Sequence, residues 1–232
     1  MGRMRRIWQP EIFYHVTMRG NNRQNIFLND GDFKLFFRAL HFTFKKYPFT
    51  IIAYCMMNNH YHLLIRSPEV PLSDVMALIN KRYSEYFKRK YKYFGQLYET
   101  RYFASMVSDP ISLLNVSSYI HHNPLNTTRP IVDKIEHYPY SSFQYYYQHK
   151  KPEHPFVNTQ LLPAIMERYP EIKRKTIVRI ARISAWKKKN PLFVSIACHK
   201  TRPLKKSINH LGDSVAGGPV SLLVANSCGV SI

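Results

Sequence analysis

The stretch Tyr54-Cys-Met-Met-Asn-Asn-His-Tyr-His-Leu-Leu-Ile-Arg66 reads as two extended runs folded back on each other at Asn58-Asn59. Apolar, β-branched and aromatic residues fill both arms, and asparagine tolerates the positive φ of a tight hairpin turn. On the second arm side chains alternate between faces with a period of 2. His60 and His62 therefore share one face, about 7 Å apart along the strand, while Tyr61 and Leu63 share the other. Two imidazoles so placed can hold one divalent cation. The same spacing also fits two unrelated polar side chains.

Outward from this hairpin, the chain alternates between the two periodicities. Ile12 to Met18 is rich in β-branched and aromatic residues and reads as a first strand. A polar loop, Arg19-Gly-Asn-Asn-Arg-Gln24, follows it. Phe33, Phe36, Phe37, Leu40 and Phe44 then recur at three- and four-residue steps. They predict a helix to about Tyr47, capped by Asp30 or Asp32 and closed by Pro48. Beyond the hairpin, Val75, Leu78, Ile79 and Tyr83 predict a second helix from Leu72 to about Tyr91, with Ser73 as its cap. Its other side carries Lys81, Arg82, Lys88, Arg89 and Lys90, a face suited to solvent or to phosphate.

Tyr102 to Val107 reads as a fourth strand, and Asp109-Pro110 places an N-cap before a first-turn proline. The third helix so opened ends near Asn123, because Pro124 pushes its predecessor out of the α region. Strand, helix, strand, strand, helix, strand is the order of an α+β, ferredoxin-like split βαβ fold, an antiparallel four-stranded sheet with helices on one face. The third helix is appended to it.

Composition bounds the function. The 232 residues carry 34 Lys+Arg against 14 Asp+Glu, a formal charge of +20, with 45% hydrophobic and 14% aromatic content. That is a packed protein whose charge calls for a polyanion, and nucleic acid is the expected partner. No run of about 20 apolar residues suggests a membrane span, and no apolar signal region follows the basic residues Arg3, Arg5 and Arg6. Cys55, Cys198 and Cys228 are scattered, which fits a reducing cytoplasm and argues against a thiolate zinc site. Gln160–Arg168 and the basic stretch Ile172–Lys188 read as helices of an accessory region over 151–205, and 206–232 as a disordered tail.

The third helix carries a second chemical feature. Tyr119 and Asn123 are four residues apart, on one face one turn apart, beside an apolar stripe of Leu113, Val116 and Ile120. A hydroxyl nucleophile and an amide oxygen would project together from such a helix. The alternative is a packing tyrosine, one of 17 in the chain, and an asparagine that simply ends the helix.

Four segments together resemble the single-tyrosine HUH transposases, and within them the REP-associated tyrosine transposase branch. They are Tyr14-His-Val-Thr-Met-Arg-Gly-Asn-Asn-Arg-Gln-Asn-Ile-Phe27, Ala53-Tyr-Cys-Met-Met-Asn-Asn-His-Tyr-His-Leu-Leu64, Gly95-Gln-Leu-Tyr-Glu-Thr-Arg-Tyr-Phe103, and Tyr119-Ile-His-His-Asn-Pro124 with its sequel Tyr138-Pro-Tyr-Ser-Ser-Phe143. The resemblance covers about residues 5 to 145 and makes 1–150 the expected transposase domain.

It implies that His60, His62 and Asn123 bind Mg²⁺ or Mn²⁺, and that Tyr119 attacks a DNA phosphate to give a 5′-phosphotyrosine and a free 3′-hydroxyl. Arg19, Arg23 and Arg101 are the implied DNA contacts, and single-stranded hairpin DNA the implied substrate. Tyr98 and Tyr145-Tyr-Tyr147 are candidate platforms for unpaired bases. A bacterial, nucleoid-associated protein, monomeric or homodimeric, is expected. A non-catalytic nucleic-acid-binding module and a metal-dependent nuclease that activates water remain alternatives on the same fold. The segment Leu125-Asn-Thr-Thr-Arg-Pro130 departs from the family's usual Val-Arg-Ala-Gly-like sequel.

Overall fold

The computed structural model describes residues 8–169; the basic lead-in, the Ile172–Lys188 helix and the tail expected at 206–232 lie outside the described residues. Four strands, β1 (Phe13–Arg19), β2 (Thr50–Met57), β3 (His60–Arg66) and β4 (Phe103–Val107), form one sheet in the order β2-β3-β1-β4. Every pairing is antiparallel, as a split βαβ arrangement requires. Helices α1 (Asp30–Lys46), α2 (Leu72–Tyr91) and α3 (Pro110–His121) are followed by the shorter α4 (Phe143–Tyr147) and α5 (Leu161–Arg168).

Helices pack on both faces of the sheet. Tyr14, Val16 and Met18 of β1 and Tyr61, Leu63 and Ile65 of β3 meet Phe33, Phe36 and Leu40 of α1 and Val75, Ile79 and Tyr83 of α2. On the opposite face Ile52, Ala53, Cys55, Met57 and Leu64 meet Leu113, Leu114 and Ile120 of α3 and Leu162 and Ile165 of α5. The helices thus do not all share one face: α3 lies across the sheet from α1 and α2, over β2 and β3. An irregularity at Ile51/Ala53 turns Ile52 and Ala53 together into the α3-side core, as a bulge does.

Two local expectations need correction. Helix α1 is capped by Asn29 rather than by Asp30 or Asp32. The Asp32 carboxylate instead reaches back to accept the backbone N–H groups of Leu28 (2.8 Å) and Asn29 (3.2 Å), and Lys90 Nζ lies 2.7 Å from its other oxygen. The N-cap position of α2 is held by Pro71, not Ser73.

The hairpin turn also differs from its expected form. Neither Asn58 nor Asn59 takes a positive φ. Contacts from outside the turn hold it: the Asn58 carbonyl accepts the N–H groups of Ile26 (2.7 Å) and Phe27 (2.9 Å), and the Asn59 carbonyl that of Gly20 (2.9 Å). The positive φ falls in the partner loop, at Asn22 and Arg23. Gly20 is obligatory there, since a Cβ would lie 2.2 Å from the Gln24 carbonyl oxygen.

Candidate functional site

On the α3 side of the sheet, β1 presents His15, Thr17 and Arg19 and β3 presents His60 and His62. Register pairs Thr17 with His62 and Arg19 with His60. Because α3 covers β2 and β3, its last turn brings Tyr119 over this polar end. The Tyr119 ring meets His62 edge-on at 5.7 Å and His15 edge-on at 5.8 Å, and the phenol is 47% exposed. His60 and His62 rings stand 5.0 Å apart. The fold therefore gathers His60, His62 and Tyr119 from a strand and a helix nearly sixty residues apart.

Hydrogen bonds define which ring nitrogens are available. His60 Nδ1 lies 2.6 Å from Asn59 Oδ1, and the Asn59 amide nitrogen in turn donates to the Arg23 carbonyl at 3.3 Å. The oxygen is thus the atom facing His60, so Nδ1 carries the proton and Nε2 keeps its lone pair. His62 Nδ1 is engaged by His15 Nε2 at 2.9 Å and Thr17 Oγ1 at 3.0 Å. The His15 and His62 rings stack at 5.2 Å.

All three imidazoles are held neutral. Burial lowers His15 to about 4. Burial, helped by the Arg19 charge, lowers His60 to about 4. His62 is pushed well below its ordinary value by burial first, then by His60, His15 and Arg19. Neutral imidazoles are the form that ligates a cation.

Asn123 opens the single 3₁₀ turn after α3 and is buried. Its amide nitrogen donates to the carbonyls of Tyr119 (3.0 Å) and Ile120 (3.2 Å), so its hydrogen bonds go to the helix end rather than to the histidines. With the nitrogen so engaged, the amide oxygen is the atom left to serve as a donor. Among the described residues no group of three His, Cys, Asp or Glu is spaced to hold a metal. Residues that could hold a divalent cation here are the two imidazoles together with a donor of another type, such as this amide oxygen. They make a neutral set, which leaves room for anionic oxygens to complete the shell.

The three arginines separate. Arg19 sits on the site face beside His60. Arg23 lies exposed in the loop that grips the hairpin turn. Arg101 lines a different groove, of about 660 Å³, with Met18, Asn80, Lys88 and Tyr98. Of the proposed aromatic platforms, Tyr98 has its hydroxyl buried against the first core. Tyr146 is packed with its hydroxyl donating to the Ile52 carbonyl at 2.6 Å, while Tyr147 is exposed.

Sequence reasoning passed over His15, Thr17 and Asn59, the three residues that orient the two histidines. For His15 a signal was present. It alternates in phase with Thr17 and Arg19, but only the strand register shows which β3 residues lie beside them.

The four-stranded antiparallel sheet with its helices agrees with the outcome of comparison with known proteins. Residues 9–123 match the family described as transposase IS200 like. More narrowly, the chain is similar to a Haemophilus influenzae protein assigned as a REP-associated tyrosine transposase, 25% identical over an alignment of 156 positions that covers 62% of this chain and 86% of the relative. Its fold matches the solved structure of a REP-associated tyrosine transposase bound to a REP hairpin. That match has a TM-score of 0.55 and 17% identity, and covers 69% of this chain and 94% of the other. Among the described residues no helix is long and apolar enough to cross a membrane.

Proposed function

We propose that this protein is a DNA strand transferase that cleaves and rejoins single-stranded hairpin DNA through Tyr119. The observation that carries the reading is the edge-on packing of the Tyr119 ring against His62 at 5.7 Å. It sets a phenol beside two neutral imidazoles on a basic protein. The relative whose structure holds a REP hairpin supports DNA hairpins as the substrate class.

In the first step the Tyr119 phenolic oxygen attacks a DNA phosphorus and the bond from that phosphorus to the 3′ oxygen breaks. The phenolic proton is lost to solvent and the departing oxygen takes one up, leaving a 3′-hydroxyl and a 5′-phosphotyrosine. A phosphodiester is exchanged for a phosphodiester, so a 3′-hydroxyl can attack in reverse and rejoin the strand. A phenol of ordinary pKa near 10 costs roughly 4 kcal/mol to ionise at neutral pH. A Mg²⁺ or Mn²⁺ ion, when bound, would polarise the phosphoryl oxygen and lower that cost. His60 and His62 would hold the ion through Nε2, and Asn123 through its amide oxygen. Asn59 and His15 keep the two rings in their orientation, and Arg19, Arg23 and Arg101 would hold phosphates. Such a substrate places the work at the bacterial nucleoid, for a monomer or a homodimer.

The test is a denaturing gel of the protein incubated with labelled single-stranded hairpin DNA and Mn²⁺. A protein–DNA adduct is expected with the natural chain and its absence with Tyr119→Phe. An adduct that persists in Tyr119→Phe, or strand cleavage without an adduct, overturns the assignment of Tyr119.

A further inference from the structure

Helix α3 covers β2 and β3 and leaves part of the sheet's other half open on the same face. There β4 pairs with β1, and the register sets Phe103 beside Thr17 and Ser105 beside His15. Paired residues of antiparallel strands point to the same side. Phe103 thus lies in one row with Thr17 and His62, two strand spacings or about 10 Å from His62. Its ring is 63% exposed, although its strand neighbour Tyr102 is buried. His15, Thr17 and Ser105 around it are only partly covered.

An exposed aromatic on an open sheet face, one row from the histidines, offers a flat surface on which a planar ring can stack. The surroundings narrow the choice. Arg19 stands on the same face next to His60, the chain as a whole carries +20, and Tyr119 adjoins the patch through His15 at 5.8 Å. An apolar acyl chain or a cationic segment finds no complement in that setting, whereas a nucleotide brings a flat ring for Phe103 and a phosphate for the arginine. Four-stranded sheets of this topology that bind single strands use exposed aromatics in the same manner, each stacking one unpaired base.

We propose that Phe103 is the stacking platform for one unpaired base of the DNA strand whose phosphate lies at Tyr119, a role that rests on the strand-transferase reading. The platform tolerates every base, because each has a π face, and so fixes where the strand lies rather than which sequence it bears. It also favours substrates with an unpaired nucleotide adjoining the hairpin over fully paired ends.

The experiment uses the full chain with Tyr119→Phe, so that binding is read without cleavage. Fluorescence anisotropy with a labelled hairpin carrying a single-stranded flank gives affinity, and 2-aminopurine placed at successive flank positions reports stacking. Phe103→Ala is expected to weaken the flanked hairpin about tenfold and to abolish quenching at one flank position. Phe103→Trp should restore both, and a blunt hairpin should bind Phe103→Ala and the parent alike. Equal affinity and unchanged quenching in Phe103→Ala overturn the platform while leaving the strand-transferase reading intact. If the parent chain binds neither hairpin, the strand-transferase reading fails and the platform falls with it. A circular-dichroism melt of each variant identifies any loss caused by unfolding, and Phe103→Trp then decides the role.

Discussion

His15 Nε2 lies 2.9 Å from His62 Nδ1, and the two rings stack with their centroids 5.2 Å apart. Two nitrogens at that distance share one proton, so the tautomers of the two rings are interlocked. For His62 to offer Nε2 as a lone pair, Nδ1 must donate and His15 must accept. Replacing His15 by Phe keeps the packing and removes the acceptor. Mn²⁺ affinity, followed by the electron paramagnetic resonance signal of the free ion, should then fall about tenfold. His15→Gln, which can accept through its amide oxygen, should recover part of it. Unchanged affinity in His15→Phe would show that Thr17 alone holds the tautomer.

Acid should destabilise the fold over a definite window. Burial lowers His15 and His60 to about 4, His121 to about 3, and His62 well below its ordinary value. In the unfolded chain these side chains titrate near 6.5. Between the two values the unfolded state binds more protons, so stability rises with pH there. It is fully present above about 6.5 and is lost as pH falls toward about 4. Urea midpoints measured across this range should decline on acidification; a flat profile would contradict the burial of these rings.

Gly20→Ala should destabilise the loop after β1, because the added Cβ would meet the Gln24 carbonyl oxygen at 2.2 Å. Backbone must move to accommodate it, at a cost of about 1–3 kcal/mol. The loop also donates the Gly20 N–H to Asn59. Thermal unfolding should therefore shift downward, and the hairpin turn should lose protection in hydrogen exchange. A variant as stable as the parent would refute the close approach.

Arg19 is the arginine on the site face, and its replacement tests the charge of that face. Arg19→Ala should weaken single-stranded DNA binding and reduce the slope of log affinity against log salt by about 1. The measurement is anisotropy at several salt concentrations. Weakened binding with an unchanged slope would mean that Arg19 supports its neighbours rather than meeting a phosphate.

Ile120 is fully buried between α3 and the sheet, next to the residue proposed as nucleophile. Ile120→Ala should cost about 2–5 kcal/mol. Stability is read by urea denaturation; a cost below 1 kcal/mol would mean that α3 is not anchored through this side chain.

Much of the fold was legible because the two periodicities are strong. Phe33, Phe36, Leu40 and Phe44 mark one face of a helix whatever surrounds them, and the order of elements restricts the topology to a split βαβ sheet. Both histidines fell on one face because a strand's alternation is exact. Less was legible at the turns. The paired asparagines suggested a hairpin closed by positive φ, but the turn is held by three N–H groups from the loop after β1. A contact across some thirty residues leaves no local trace. The cap of α1 was missed by one position although its signal is local: Asn29 and Asp32 form a reciprocal capping box, with Asp32 reaching back to Leu28 and Asn29.

The sequence by itself determined the elements, their order, the shared face of His60 and His62, and the one-turn spacing of Tyr119 and Asn123. These follow from backbone geometry, which repeats along the chain regardless of context. Only the tertiary structure decided that α3 crosses to the face opposite α1 and α2, which is what brings Tyr119 over His62. It likewise decided that His15 orients His62, and that Phe103 lies open while Tyr98 and Tyr146 are packed away. Strand β3 is buried on both faces, so its own pattern cannot say which helix lies on which side. That choice is made by packing between distant segments, and the candidate site exists only once it has been made.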